Sequence, residues 1–305
     1  MSTVYLYDGP GADDGDSEII VRSLQKSLKP TVYSISKISP GDIIQGNWTS
    51  TAAAFIMPGG FDRGFIDALG DSGATVIRDY VRNGGSYLGL GAGSYYACDN
   101  IEFDRGGPNE VIGDRPLKFF PGSGIGPAYG PFSYEDERGA RAAAVDFYQK
   151  SEPGSISSKI YFNGGNLFVP HSKESSKLGN DTSSGVSMET FESLGIYSGL
   201  PSQPLAIVKC KVGTGVAVLS GVQLEFRSSD LDGSNPYLKD IKKELESYDV
   251  TNNKLWCSAL QENGIRSDCL SKNRDTRLVM RSWNAILSKS FNLSGLVKQY
   301  IHIQT

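Results

Sequence analysis

Apolar runs alternate with amphipathic stretches through the first hundred residues of the chain. Residues 4–7 and 52–57 are continuous apolar runs, and each ends in a turn cluster, at 8–11 and 58–60. Such short runs are typical of strands in a parallel sheet that is buried on both faces. The β-branched alternation from Thr31 to Ile38 predicts a further strand between them.

Apolar residues recur at helical spacing between these strands. They predict a helix from Glu18 to about Lys29, capped by Asp16 or Ser17, and another over 65–81 that is interrupted near 71–73. A strand, a glycine-rich turn and a helix start follow within residues 83–96. This alternation predicts an α/β fold, with a flavodoxin-like parallel sheet and helices on both faces.

The pattern changes after residue 100. Prolines and glycines recur among short apolar segments at 117–120 and 159–162, which predicts a β-rich loop insertion over about 101–203. We therefore expect one domain over 1–250 and a C-terminal helical extension and tail over 251–305. Other expected elements are a polar loop over 172–185, a hairpin of strands over 205–212 and 215–219, and helices over 235–248, 254–261 and 275–288.

Composition and charge narrow the classes of function. The formal net charge of −4 is too small to indicate a nucleic-acid partner, and no apolar run is long enough to span a membrane. Only two histidines occur, His171 and His302, so we expect no metal site, and we expect no cofactor. The four cysteines lack metal-ligand spacing and read as reduced thiols. With no signal-peptide pattern at the N-terminus, a cytoplasmic protein is expected.

The segment 83–96 is the most informative stretch of the chain. Its alternating glycines at 89, 91 and 93 do not complete a dinucleotide fingerprint, because Ser94 stands where a further glycine or alanine is needed. A strand, a sharp elbow and a helix are instead the arrangement that presents a nucleophile in α/β enzymes. The residue at the tip of this elbow is Gly91, which has no nucleophilic side chain.

This elbow, together with the Pro58–Gly60 turn, resembles class I glutamine-amidotransferase-like domains. The chain is more similar still to the N-terminal domain of eukaryotic, fungal-type biotin–protein ligases. The matching segments run in order along most of the chain: 7–11, 58–60, 84–96, 111–115, 119–122, 126–129, 137–142, 161–165 and 221–226.

The resemblance assigns a degenerate catalytic triad. Class I amidotransferases use a cysteine nucleophile, a histidine and a glutamate, and these positions fall on Gly91, Gln223 and Glu225. Glutamine cannot exchange a proton near neutral pH, and glycine cannot attack. The resemblance therefore predicts that triad-dependent amide hydrolysis is lost.

Two interpretations of the elbow remain open. In the first, the turn survives only as a packing element. In the second, the pocket persists as a binding site for a small carboxylate or amide, with backbone N–H groups near Gly60 and Ala92 as the former oxyanion hole. The residues expected to form this pocket are Gly59, Gly60, Gly91, Ala92, Ser94, Tyr95, Tyr129 and Gln223.

The functional hypothesis is a non-catalytic binding or regulatory module. One alternative is a hydrolase or amidotransferase with a rewired nucleophile, Ser94 or Cys98, assisted by Glu225 or His171. Another is an accessory that acts in trans on a biotin ligase or a biotin-accepting protein. The biotin-binding and catalytic motifs of the ligases do not occur in this sequence, so we expect no biotin activation by this chain and either a stand-alone protein or a truncated ligase.

Overall fold

A computed structural model describes residues 2–148, 154–171 and 190–267. The strands are β1 (Ser2–Tyr7), β2 (Tyr33–Ile38), β3 (Ala52–Met57), β4 (Ser86–Leu90), β5 (Cys98–Phe103), β6 (Val111–Asp114), β7 (Phe120–Gly126), β8 (Arg141–Tyr148), β9 (Ser155–Phe162), β10 (Leu167–Pro170), β11 (Thr190–Ile196), β12 (Leu205–Val212) and β13 (Gly215–Ser220). The helices are α1 (Asp14–Ser27), α2 (Pro40–Gln45), α3 (Asp62–Arg82), α4 (Ala92–Tyr95), α5 (Lys239–Leu245) and α6 (Asp249–Glu262).

Five parallel strands form one half of the sheet. Their order is β2-β1-β3-β4-β13, and each neighbouring pair runs parallel. This is the 2-1-3-4-5 order of flavodoxin-like folds, in which ligands bind beyond the carboxyl ends of the strands. The predicted α/β fold is confirmed, and its fifth strand is supplied by β13, more than 120 residues after β4.

Burial on both faces explains why these strands are continuously apolar. Successive side chains point to opposite faces of a strand, and Leu6 and Tyr7 of β1 are both fully buried. Tyr7 belongs to a core cluster with Phe65 and Ile77 of α3, so α3 covers that face of the sheet. The opposite face is closed as well, because Leu6 is inaccessible to solvent.

The helices differ from their predicted bounds at the ends. Helix α1 begins at Asp14, and its cap is Asp13, whose carboxylate accepts the backbone N–H of Asp16 at 2.9 Å. The predicted cap at Asp16 or Ser17 is therefore wrong by one turn. The predicted interruption of α3 is found at Gly70, whose φ of 54° and ψ of −163° break the helix.

The other half of the sheet is mostly antiparallel and contains the predicted insertion. Strand β12 pairs with β13 in the expected hairpin, and it also borders β10 and β11. Strand β7 begins at Phe120, so most of the strand predicted over 117–120 is wrong; Lys118 has a φ of 53°, which is not extended. The boundary predicted at residue 250 stays a prediction.

Three further expectations concern the remaining segments. The polar loop over 172–185 and the helix over 275–288 lie outside the described residues. The predicted helices over 235–248 and 254–261 correspond to α5 and α6. Cys98 and Cys210 are buried and form no disulfide, whereas Cys257 is disulfide-bonded, so the expectation of four reduced cysteines is wrong at that position.

Candidate functional site

A cavity of about 740 Å³ opens where the carboxyl ends of β1, β3, β4 and β13 meet. Its floor includes Gly59, Gly60, Gly91, Ala92 and Gln223. Its volume lies within the range of small-molecule sites, about 300–1,000 Å³. The structure therefore brings the elbow and the predicted base position together at the expected edge of the sheet.

Gly91 keeps the backbone geometry of a nucleophile elbow. Its φ of 50° and ψ of −115° lie in a region that L side chains rarely adopt, and glycine adopts it without steric cost. A β-carbon there would meet nothing closer than 3.4 Å, with Gln223 Nε2 at 3.6 Å. At Gly93, in contrast, a β-carbon would lie 2.2 Å from the carbonyl oxygen of Met57. Gly93 is needed for packing, while the tip at Gly91 has room for a side chain that the protein lacks.

The two predicted oxyanion donors flank this tip. In the described part of the chain, the backbone N–H groups of Gly60 and Ala92 donate to no protein acceptor. Both residues line the cavity. Amides in this position can receive an acceptor oxygen from a ligand.

Gln223 occupies the position that the resemblance assigns to histidine. Its side chain is buried at 5% exposure, and its Nε2 donates to the carbonyl oxygen of Asn163 over a long 3.4 Å. Its Oε1 is buried and has no hydrogen-bond partner. An unsatisfied buried acceptor is costly, so a donor that reached this oxygen would stabilise it.

Glu225 does not orient Gln223. The carboxylate is fully buried, and neither of its oxygens has a hydrogen-bond partner in the described part. Burial raises its pKa to about 8, and the nearby charge of Asp16 contributes in the same direction. A neutral, unpaired acid cannot hold a neighbouring base in place as a triad glutamate does.

Asp16 stands at the first turn of α1 and faces the cavity. Its Oδ2 would lie 2.1 Å from a β-carbon on Gly59, so the carboxylate rests directly against the floor. Burial, together with the charges of Asp13 and Glu137, raises its pKa to about 7. Glu137 in turn accepts hydrogen bonds from Tyr161 and from Asn163 Nδ2, at 3.1 and 2.6 Å.

Aromatic side chains form the walls. One wall is a chain of edge-to-face pairs in which neighbouring ring centroids are 4.7 to 5.8 Å apart, and it runs through Tyr95, Phe103, Phe132, Tyr134 and Phe61. The rings of Tyr161 and Phe226 stack at 4.7 Å and also line the cavity. Edge-to-face pairs stabilise one another, and the walls therefore offer a firm apolar surface.

A buried ion pair anchors the rim. The Arg115 side chain donates to the Asp62 carboxylate at 2.5 Å, and both side chains are at most 8% exposed. The Arg115 guanidinium also bonds the carbonyl oxygens of Gly113 and Asp114. This salt bridge joins the β6 segment to the start of α3.

Two residues expected in the pocket do not line it. The hydroxyl of Ser94 donates to the Gly91 carbonyl at 2.7 Å and bonds Asn166 at 2.6 Å, so it is turned into the protein. Tyr129 packs edge to face against Phe162 and Tyr197, away from the cavity. Both expectations are wrong for the same reason: the insertion binds the Ser94 hydroxyl through Asn166 and packs the Tyr129 ring among its own residues.

Cys98 and His171, the other residues of the alternative catalytic arrangement, also lie away from the elbow. Cys98 is fully buried, its Sγ donates to the carbonyl oxygen of Ser94, and burial raises the pKa of its thiol well above the ordinary value. His171 lies at the surface, where its Nε2 is 2.9 Å from Asp99. None of these groups faces the elbow.

Sequence reasoning missed the acidic and aromatic members of the site. Asp16 was read only as a helix cap, and Glu137 only as part of a matching motif. The acidic run 135–137 and the aromatic residues at 132 and 134 were a usable signal. Their place above the elbow depends on the path of the long loop after β7.

The parallel 2-1-3-4-5 strand order and the glycine elbow at the carboxyl edge of the sheet define a flavodoxin-like α/β protein. A family model described as "Biotin-protein ligase, N terminal" matches residues 2–284. The chain therefore belongs to the biotin-protein ligase N-terminal family.

Two curated relatives are similar in sequence. A biotin–protein ligase of Schizosaccharomyces pombe is 34% identical over 252 residues, which are 80% of this chain and 36% of that protein. An uncharacterised protein of Chlamydia muridarum is 30% identical over 231 residues, which are 74% of this chain and 81% of that protein. The matched region thus spans about a third of the yeast ligase.

Solved structures resemble the fold at low identity. A glutamine amidotransferase from Thermotoga maritima is 10% identical with a TM-score of 0.48, and the match covers 85% of this chain and 96% of that one. A ThuA-like protein from Bacteroides uniformis is 13% identical with a TM-score of 0.46, over 88% and 95% of the two chains. None of the helices in residues 2–148, 154–171 and 190–267 combines the length and hydrophobicity needed to cross a membrane.

Proposed function

We propose that this domain binds a small molecule in the elbow cavity and does not cleave it. The observation that carries the proposal is the state of the three triad positions. Gly91 has no side chain, Gln223 stands in place of a base, and Glu225 makes no side-chain hydrogen bond. Loss of a triad nucleophile or base typically costs several orders of magnitude in rate.

The rest of the cavity supports binding. The N–H groups of Gly60 and Ala92, which have no protein acceptor in the described part of the chain, give a ligand two donors at one end, and Gln223, whose Oε1 has no hydrogen-bond partner, lines the same end. Aromatic rings supply apolar area at the sides. A mostly apolar cavity with a few converging polar groups is typical of small-molecule sites.

The family supports a place beside biotin transfer. We infer that the partner of this domain is a biotin ligase domain or a biotin-accepting protein, since the yeast relative is itself a biotin–protein ligase. The bound molecule would then regulate that partner. The alternative enzyme, with Ser94 or Cys98 as nucleophile, is disfavoured because both groups are turned away from the cavity.

Two measurements test the proposal. In a thermal-shift screen of charged and neutral metabolites, we expect binders whose effect is lost when Gln223→Leu removes the free acceptor. The same compounds, incubated with the protein and analysed by mass spectrometry, are expected to stay intact. Turnover that scales with protein and disappears in Ser94→Ala or Cys98→Ala would contradict the proposal.

The partner is tested separately. A purified biotin ligase domain and a biotin-accepting domain from the same organism are titrated into the full chain and followed by calorimetry. We expect association with at least one of them at micromolar concentration. Absence of heat with both would contradict the inferred partner and leave the binding cavity untouched.

A further inference from the structure

The charge of the cavity is strongly one-sided. Eight acidic residues line it, and the described lining includes no lysine, arginine or histidine. Three of the eight are neutralised by arginines outside the lining: Asp62 by Arg115, Asp136 by Arg138 and Asp230 by Arg22. The remaining acids give the interior a net negative potential, which opposes a carboxylate ligand.

Two of the remaining acids are close enough to repel each other, Asp16 at the floor and Glu137 on the loop above it. Asp16 and Glu137 have no lysine or arginine partner in the described part of the chain. The raised pKa of Asp16 shows that its charge is poorly solvated and repelled by its neighbours. A bound cation would relieve both effects.

Gln223 gives an independent indication of what the ligand presents. Gln223 lines the cavity, its buried Oε1 has no hydrogen-bond partner in the described part of the chain, and an amide oxygen can only accept a hydrogen bond. Gln223 Nε2 would lie 3.6 Å from a β-carbon on Gly91. Asp16 Oδ2 lies against the nearby Gly59. The amide of Gln223 and the carboxylate of Asp16 therefore border the same part of the cavity floor.

Metal binding does not explain this arrangement. No group of three or more histidine, cysteine or acidic residues in residues 2–148, 154–171 and 190–267 is arranged to hold a metal ion. The aromatic walls are equally unsuited to a hydrated ion. They suit an organic cation, because the faces of aromatic rings attract positive charge and their area contacts an apolar body.

We propose that the elbow cavity binds an organic amine: a protonated amino group seated against Asp16 and the Oε1 of Gln223, on an apolar body held by the aromatic walls. This inference rests on the proposed binding function and names its ligand class. It differs from the small carboxylate or amide that the sequence suggests. Tyr161 and Phe226, stacked beside the floor, contact the body closest to the amine.

Three probes with one apolar body test the charge. They are 3-phenylpropylamine, 3-phenylpropanol and 3-phenylpropionate, titrated into the full chain at pH 8 and followed by two-dimensional NMR or calorimetry. The amine is expected to bind about tenfold tighter than the alcohol, since a charge-assisted hydrogen bond is stronger than a neutral one. The propionate is expected to bind more weakly than both.

Matched variants locate the amino group. Asp16→Asn is expected to weaken amine binding about tenfold and to leave the alcohol nearly unchanged, because only the charged contact is lost. Gln223→Leu is expected to weaken the amine as well, which provides a second test should Asp16→Asn fail to fold. Asp67→Asn removes an exposed acid of α3 outside the cavity and is expected to have no effect.

The outcomes separate the two proposals. Tighter binding of the propionate than of the amine would overturn the amine inference and still support a binding cavity. No binding by any probe at millimolar concentration would also overturn it, while hits in the metabolite screen would keep the proposed function. Equal amine affinity in wild type and Asp16→Asn would show that the amino group does not sit at the floor.

Discussion

Replacing Glu225 by glutamine should stabilise this protein at neutral and alkaline pH. Glu225 is fully buried, and its two carboxylate oxygens have no hydrogen-bond partner in the described residues. Burial and the charge of Asp16 raise its pKa from 4.5 to about 8, and Arg227 offsets only part of this. Glutamine has nearly the same volume and carries no charge at any pH.

The magnitude follows from proton linkage. The folded protein holds the Glu225 proton up to about pH 8, whereas the unfolded chain releases it near pH 4.5. The unfolded state therefore binds fewer protons in this window, and the free energy of unfolding falls as pH rises. Each tenfold change in proton affinity corresponds to about 1.4 kcal/mol. Wild type should lose about 4 kcal/mol from this group between pH 5 and pH 8.

The assay is urea denaturation of wild type and Glu225→Gln at several pH values from 5 to 8. The difference in free energy of unfolding, variant minus wild type, should grow by about 4 kcal/mol over this range, whatever its value at pH 5. Glu246→Gln, an exposed position at the end of α5, is the control and should give a constant difference. Parallel curves for wild type and Glu225→Gln would refute the reasoning, because they would show that the carboxyl group is ionised in both states.

Further predictions test the elbow and its supports. Gly91→Ala should lower the free energy of unfolding by about 1–3 kcal/mol, which is the backbone strain alone. Gly93→Ala should lower it more, because its β-carbon would lie 2.2 Å from a carbonyl oxygen. Urea denaturation measures both changes. Arg115→Met should lower the free energy of unfolding by about 3–5 kcal/mol in the same assay, because the buried Asp62 side chain loses its ion-pair partner. Affinity for 3-phenylpropylamine should rise from pH 6 to pH 8, because the pKa of Asp16 is raised to about 7 and its charged form binds the amine; calorimetry that shows no pH dependence would contradict this.

The sequence was sufficient to predict the parallel half of the fold. Continuous apolar runs such as 52–57 are required where a strand is buried on both faces, and turn residues mark their carboxyl ends. The position of the elbow was also predictable, because a short apolar strand, alternating glycines and a helix start follow one another within residues 83–96. Local chemistry was enough in both cases.

The insertion could not be placed by the same reasoning. Whether Tyr129 faces the elbow depends on its contacts with Phe162 and Tyr197, which are distant in sequence. The hydroxyl of Ser94 is likewise directed by Asn166, 72 residues further along the chain. Tertiary contacts of this kind leave no periodic pattern.

The charge of the site was missed for a related reason. Asp16 and Glu137 come from separate segments, and each looks like an ordinary turn or helix-end residue in its own context. Their effect arises only when folding brings them to one cavity with the unpaired oxygen of Gln223. The sequence taken segment by segment therefore suggests a carboxylate or amide ligand, whereas the assembled cavity favours a cation.

The most direct test measures amine binding and amide hydrolysis with the same preparation of protein. The full chain is mixed either with amides of 3-phenylpropylamine or with the free amine, and native mass spectrometry detects the complex. Analysis of the supernatant after long incubation detects any hydrolysis products. We predict a one-to-one complex with the amine and no hydrolysis of the amides. Release of amine from the amides in proportion to protein, abolished by a change at Ser94 or Cys98, would contradict a binding role for the Gly91 elbow.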